Sequence, residues 1–431
     1  MSNTKSTFRQ INWLVVVLMA AAGATVYMMP YIRSSFYNAL QEALGVTNTQ
    51  LGMIPSFFGL LTLVCYFPGG WLADRFSAKK LLMVTFFVNT ILGLWYSRLT
   101  GFGTVIFIHV LFGIFSTLTF WAAYVKATRL CAPPEGQALA FGFVEGIRRI
   151  MSMGISLVGA WILGKYAADQ QVAALQTILV FYSACCGVVG LAITFFMKDE
   201  DTSGQAKTGA SLADIKRVAQ IKEVWLITLI ILMAYNSYRS QDVMTPYTTQ
   251  LCGMSGAVAA AFTSLRYYGT GFGAILGGLV GNKLGSSNTM TLGFLIIIIT
   301  NILFLVFPGT PAIVGFVVAI MMTFMLAHYA MRGLYYALLG EGLVPVAATG
   351  VATGIIATFA YTPDFFAPLY QGALLDAFGK DVHTGYNYIF IISAISAACG
   401  IVLCRIFNHS VKRKIAALKE AGIDPFAAKE N

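Results

Sequence analysis

The sequence predicts an all-α membrane protein of about twelve transmembrane helices, organised as two pseudo-symmetric six-helix bundles. Three observations predict it. Charged residues are 11% of the 431-residue chain and hydrophobic residues 58%, with a mean hydropathy of +0.74. A soluble domain carries about 25% charged residues. Apolar segments near the 20 residues needed to cross a bilayer recur along the chain. The two halves also share local text. Gly69-Gly70-Trp71-Leu72-Ala73-Asp74-Arg75 matches Gly277-Gly278-Leu279-Val280-Gly281-Asn282-Lys283, and Arg33 and Arg239 share nearly the same offset.

The expected spans run near 12–40, 50–73, 81–97, 103–125, 138–163 and 173–197, then 223–249, 255–282, 288–307, 312–338, 347–375 and 385–407. Domain boundaries follow. Residues 1–197 form the N-terminal bundle, 198–222 a polar cytoplasmic linker, 223–408 the C-terminal bundle and 409–431 a cytoplasmic tail expected to be solvated, with an amphipathic helix on anionic lipid as the alternative. The first apolar segment is too long for a signal-peptide core and is read as a mature helix. Span 11 holds Pro363 and Pro368 around Asp364, which predicts an interrupted helix. Such breaks are tolerated where they line a cavity or are buried in protein. Gly273, Gly277 and Gly281 give span 8 a small-residue stripe, and Gly142 and Gly146 suggest the same close packing for span 5.

The formal charge of +10 is topological. Arg33, Arg148, Arg149, Arg239, Arg266 and Arg332 lie inside spans, and Arg98, Lys165 and Lys380 lie on one face. All other Lys and Arg fall on the face shared with both ends of the chain. The positive-inside rule makes that face cytoplasmic. The basic excess therefore does not argue for nucleic acid. The seven cysteines lack metal-ligand spacing and are read as small core residues without disulfides. There is no phosphate-binding glycine loop with a lysine, no metal cluster and no nucleophile elbow in the text. Cofactor, metal and enzymatic chemistry are not expected, and a gradient or exchange supplies the energy.

Between spans 2 and 3 the chain reads Gly70-Trp71-Leu72-Ala73-Asp74-Arg75-Phe76-Ser77-Ala78-Lys79-Lys80. With the span count and the repeat, this resembles the cytoplasmic signature of the major facilitator superfamily. The resemblance covers the whole chain. It implies a conformational latch built from Gly70, Asp74, Arg75, Lys79 and Lys80, without substrate contact. Ser77 stands where the family has glycine, and Asn282 replaces the acid in the second copy. The glycine-proline signature of drug:proton antiporters is absent from span 5. Tyr31-Ile32-Arg33 and Tyr238-Arg239 resemble the arginine positions of the organophosphate:phosphate antiporter branch, which binds phosphate between one arginine from each half. Residues 118–129 and 142–149 are more similar to poorly characterised bacterial permeases related to that branch. Glu145, Arg148 and Arg149 stand where its best-known members carry a span-5 histidine.

The charged interior carries the rest of the reading. A guanidinium in hydrocarbon costs roughly 2.5–3.5 kcal/mol even on the lenient insertion scale. Glu145 lies three and four residues before Arg148 and Arg149, on one helix face. It is either an internal ion-pair partner or a proton or switch site, with Arg149 the better candidate for the cavity. Arg33 and Arg239 are expected to grip the anionic group together. Arg239 precedes Asp242 by three, so that pair is alternatively structural, whereas Arg33 has no acid within four residues. Arg266 and Arg332 are expected to pair or gate, with Asp364 or Glu341 as partners. Asp364 is a proton carrier or an arginine partner. His328 is a titrating group or a packed hydrogen-bonding one. Among the aromatics, Tyr238 and Tyr361 rank first as substrate contacts.

Six interior arginines against Glu145, Asp242 and Asp364 leave a positive surplus that attracts anions. Arginine offers a planar fork suited to phosphate, sulfonate or carboxylate. The expected function is a multi-pass transporter of the bacterial inner membrane. It moves a small anionic metabolite by anion exchange, with phosphate as counter-ion, or by proton coupling, and works as a monomer in the lipid bilayer. The rival reading is a non-transporting sensor of the same anion.

Overall fold

The computed structural model describes residues 10–73, 75–133, 136–199, 212–307, 309–345 and 348–422. The chain divides into two compact units, residues 1–207 with 254–268, and residues 208–253 with 269–431. Among the described residues of both, the regular elements are helices, with no strand.

Among the described residues, eight helices are long and apolar enough to cross a membrane. They realise spans 2 to 6, 9, 10 and 12. The other four spans are divided. Span 1 is helix Trp13–Thr25, a 3-10 turn at Ile32–Ser34 and helix Tyr37–Leu44. Span 7 is Lys222–Arg239, a 3-10 turn at Ser240–Val243 and Met244–Gln250. Span 8 is Gly256–Ser264 and Arg266–Leu284, and span 11 is Thr349–Ala360 and Pro363–Ala377. Proline accounts for three of these divisions. Pro30, Pro246 and Pro363 lie between the pieces or in the first turn of the second piece, where a missing N–H is tolerated. The expected interruption of span 11 falls at Tyr361 and Thr362, with Pro363 opening the new helix.

Each unit repeats the other's packing. In the first, span 1 packs on spans 5 and 6, and span 3 on span 6. In the second, span 7 packs on spans 11 and 12, and span 9 on span 12. This internal correspondence is what the repeated text anticipates.

The departures from the expected pattern have local causes. Ser77, in place of the family glycine, caps span 3 by accepting from Lys80 N at 3.4 Å. The span 8 stripe packs as expected. A Cβ on Gly277 would meet the Ala330 carbonyl, and one on Gly281 would lie 2.8 Å from Leu334. The expectation for Gly142 and Gly146 is corrected. A Cβ on either meets nothing within 4 Å, because both lie on an exposed face of span 5.

Span 12 is also longer than expected. Its helix runs Val382–Glu420, so residues 409–420 continue span 12 as helix, most of it exposed or half-buried. Asp381 starts it, accepting from Thr384, which holds the Asp381 carboxyl below its ordinary value. Lys414 fixes the far end. Its Nζ donates to the carbonyls of Leu343 at 3.1 Å and Gly342 at 3.4 Å, and lies 3.8 Å from Glu223. Ser410 donates to the same Glu223 at 3.1 Å. The extension is thus tied to the ends of spans 7 and 10. The rest of the tail, from residue 423, lies outside the described residues.

Candidate functional site

Span 1 carries Arg33 in its 3-10 turn, and the side chain is only 2% exposed. The guanidinium lies 4.9 Å from the Tyr37 ring centroid. Tyr37 is itself held, donating to Asn48 at 2.7 Å, and Gln41 donates to the same oxygen at 3.0 Å. Arg33 Nε and Nη2 are buried without a hydrogen-bond acceptor, and no carboxylate lies within ion-pair distance among the described residues. A buried donor left in this state costs about 1–3 kcal/mol, and more when charged.

Span 7 places Arg239 at the corresponding break, 5% exposed. Its surroundings are opposite in character. Nη2 lies 2.7 Å from Asp242, one turn on, and Nη1 lies 3.5 Å from Asp364 of span 11. Asp364 also accepts from the Tyr235 hydroxyl at 2.9 Å. Gln371 donates to the Arg239 carbonyl at 3.1 Å, anchoring the start of the 3-10 turn. Asp364 opens the second helix of span 11, so the Pro363 break sets its position.

Around this group stands a set of aromatic rings. Tyr235 stacks on Tyr238 at 5.4 Å and meets Tyr361 edge-on at 4.7 Å. Tyr361 and Tyr336 share a hydroxyl contact of 3.3 Å. Arg332 faces the rings of Tyr238 and Tyr235 at 5.0 and 5.7 Å. Of the expected partners for Arg332, Glu341 is excluded. It accepts from Ser287 N at 3.0 Å and from the Ser287 hydroxyl, satisfying the start of span 9. His328 is packed rather than open. It is fully buried, with Nδ1 2.8 Å from the Phe324 carbonyl and Nε2 3.2 Å from Ser237.

Span 5 supplies the third group. Arg148 makes a fork on Glu145, with Nε–Oε1 at 3.0 Å and Nη2–Oε2 at 2.5 Å. Arg149 Nη2 lies 3.7 Å from the same carboxylate, so neither arginine stands apart from it. Tyr124 donates to Glu145 at 3.4 Å. Gly23 of span 1 makes room for the arm of Arg148, since a Cβ there would collide with Arg148 Cδ. Arg266, in the piece of span 8 that belongs to this unit, lies over the Tyr267 ring at 5.1 Å and donates to its hydroxyl at 3.3 Å.

The predicted latch is described in part. Arg75 lies 3.9 Å over the Trp71 ring, and Lys80 is 3.6 Å from Asp199. Lys126 donates to the Ala73 carbonyl at 3.0 Å and closes the end of span 2. Gly69 lets that helix approach the Thr117 and Leu118 carbonyls of span 4, whereas Gly70 faces open space. Lys79 is partly exposed, and Asp74 lies outside the described residues.

Sequence reasoning passed over His109 of span 4. It is fully buried, with Nδ1 2.8 Å from the Val105 carbonyl and its ring 5.2 Å from Tyr96. His328 on span 10 bonds its own i−4 carbonyl in the same way, and a comparison of the two halves for histidine would have found the pair.

Residues 13–368 match the family model described as Major Facilitator Superfamily. The chain belongs to that superfamily. It is a multi-pass membrane transporter and not an enzyme. It is 26% identical over 364 residues to the Inner membrane protein YqcE of Escherichia coli, covering 82% of this chain and 85% of that one. It is 24% identical over 400 residues to the Inner membrane protein YihN of the same organism, covering 91% and 94%. Among solved structures, a bacterial homologue of the human lysosomal transporter Spinster superposes with a TM-score of 0.74 at 14% identity, covering 93% of this chain and 96% of that one. The nucleoside transporter NupG gives 0.71 at 13% identity, covering 93% and 99%. Likeness at these identities speaks for the fold alone.

Proposed function

We propose that this protein is a secondary active transporter of small organic anions that works by alternating access in the bacterial inner membrane, with both ends of the chain cytoplasmic. Its relatives are named inner membrane proteins, which supports the location. The observation that carries the anion reading is Arg33. It is a buried guanidinium with two nitrogens lacking acceptors and no carboxylate at ion-pair distance among the described residues. A phosphate, sulfonate or carboxylate would supply both the acceptors and the charge.

Charge distribution supports the same reading. The first unit holds Arg33, Arg148, Arg149 and Arg266 against Glu145, whereas the second balances Arg239 and Arg332 with Asp242 and Asp364. The surplus that attracts an anion therefore belongs to the first unit. Within the first unit Arg149 is proposed as a further substrate contact and Arg148 and Arg266 as gating residues, while in the second Tyr238, Tyr361 and Arg332 are assigned to the surroundings of the Arg239 cluster.

Coupling is assigned to the cluster around Arg239, with protons as the driving ion. Two carboxylates share one guanidinium, at 2.7 and 3.5 Å. A proton bound by an Asp364 oxygen removes one of the two negative charges and weakens the longer contact, leaving Arg239 with Asp242. Release of the proton restores the pair. The cluster thus has two arrangements that a proton gradient can bias.

The test is uptake into proteoliposomes of the purified chain. Candidate anions are first ranked by thermal shift, since a ligand of the folded state stabilises it. Uptake that follows an inward proton gradient and is indifferent to trans-loaded phosphate supports proton symport. Acceleration by trans phosphate without a pH gradient replaces it with exchange. Full uptake by Arg33→Ala removes the assignment of the anion site. Substrate that binds but shows no counterflow leaves the sensor reading in its place.

A further inference from the structure

We propose that the second unit carries a binding site for the phosphate headgroup of an anionic phospholipid, at the emerging end of span 12. The proposal does not depend on the transported substrate. Three observations converge on it.

The first is a cavity of about 490 Å³ lined by Asn288 at the start of span 9, Glu341 and Leu343 at the end of span 10, and Arg405, His409 and Lys412 of span 12. Small-molecule sites occupy roughly 300–1,000 Å³. The second is helical register. Arg405, His409 and Lys412 follow at i, i+4 and i+7, so they form one row. Val411 and Ile415 add apolar surface to the same wall.

The third is depth. The span 12 helix has 39 residues and is about 58 Å long at 1.5 Å per residue, against about 30 Å of hydrocarbon. Ile395, Val402 and Ile406 are exposed large apolar residues on this helix, and they follow the spacing of a lipid-facing row. That row runs into His409 at the next turn. Counting about 20 residues from Tyr386, the hydrocarbon ends near Arg405. The basic row therefore begins where phospholipid phosphates lie.

The remaining polar groups are already engaged with one another. Glu341 is bound to Ser287, and Asn408 donates to Asn288 at 3.1 Å. Arg405 and Lys412 outnumber the single Glu341 carboxylate in this lining, which leaves the wall a net positive charge for an outside anion. An acyl-bearing anion fits both the charged wall and the apolar row, which a free anion would not use. Basic pockets between spans at the cytoplasmic level suit lipid headgroups in this way.

The experiment uses the full chain purified in detergent and titrated with phosphatidylglycerol or phosphatidylcholine in mixed micelles. Phosphatidylglycerol is expected to raise the unfolding midpoint by about 2–4 °C and phosphatidylcholine to leave it unchanged. The double variant Arg405→Gln/Lys412→Gln loses most of that rise, whereas Lys419→Gln, further out on the same helix, retains it. A full rise in the double variant overturns the proposal. So does an equal rise with inorganic phosphate or glycerol 3-phosphate, which would make the site one for a free anion. A photoreactive phosphatidylglycerol on the unaltered chain gives a second reading should the double variant fail to fold. Adducts at 340–343 and 402–415 support the site, and adducts confined elsewhere overturn it.

Discussion

Arg33 and Arg239 occupy corresponding breaks in spans 1 and 7, yet their surroundings are opposite. Arg239 has two carboxylates at 2.7 and 3.5 Å, while Arg33 has a tyrosine ring at 4.9 Å and two buried nitrogens without acceptors. Both units place a cation at a helix interruption, and among the described residues only the second supplies the counter-charge from within. Repetition of a fold thus does not repeat a role. On the reading proposed above, the unit with the unanswered cation binds cargo, and the unit with the answered one couples transport to protons.

The sharpest way to break this contrast is to remove each arginine in turn and measure stability beside transport. Arg239→Ala leaves two buried carboxylates facing each other, and removing one partner of a buried pair costs about 3–5 kcal/mol. A large fall in the unfolding midpoint is expected along with lost uptake. Arg33→Ala removes a charge that has no carboxylate partner among the described residues. Uptake is expected to fall by roughly 30-fold or more, from about 2 kcal/mol of lost charged hydrogen bonding. Its unfolding midpoint should hold or rise. Equal destabilisation by both would mean that Arg33 is a structural pair member, and the contrast would fail. Arg33→Lys should also lose binding, because the planar fork is lost.

Asp364→Asn tests the coupling half. It should abolish the acceleration of uptake by an acidic exterior while leaving substrate counterflow. Retention of gradient-driven uptake would move the proton elsewhere, with Glu145 the next candidate.

Glycines give a smaller effect and compare packing rather than charge. Gly277→Ala drives a methyl against the Ala330 carbonyl, and overpacking costs about 1–3 kcal/mol. Gly142→Ala and Gly146→Ala meet open space and should stay within about 0.5 kcal/mol. Unfolding midpoints separate the two groups directly. The smallest effect expected is that of Lys80→Ala. Its contact with Asp199 is an exposed ion pair at 3.6 Å, worth about 0–1 kcal/mol. A stability loss well above that would give the latch a structural weight its geometry does not indicate.

The order and number of spans, the relation of the two halves and the interruption of span 11 were legible in the sequence. Each follows from hydropathy or from proline, which act along the chain and need no neighbour. The pairing of Arg239 with Asp242 was legible too, because three residues is one helical turn. The lack of a carboxylate near Arg33 was legible only as far as four residues to either side. Tertiary structure decided what spacing along the chain does not encode. It brought Asp364 from span 11 onto Arg239 and Tyr235, and tied Glu341 to Ser287 instead of an arginine. It set Gly142 and Gly146 in the open while burying Gly277 against a neighbour's backbone. It also continued span 12 as helix to Glu420 by tying Lys414 to the end of span 10. A side chain's counter-charge or clearance depends on which helices become neighbours, and that choice is made by packing the whole unit.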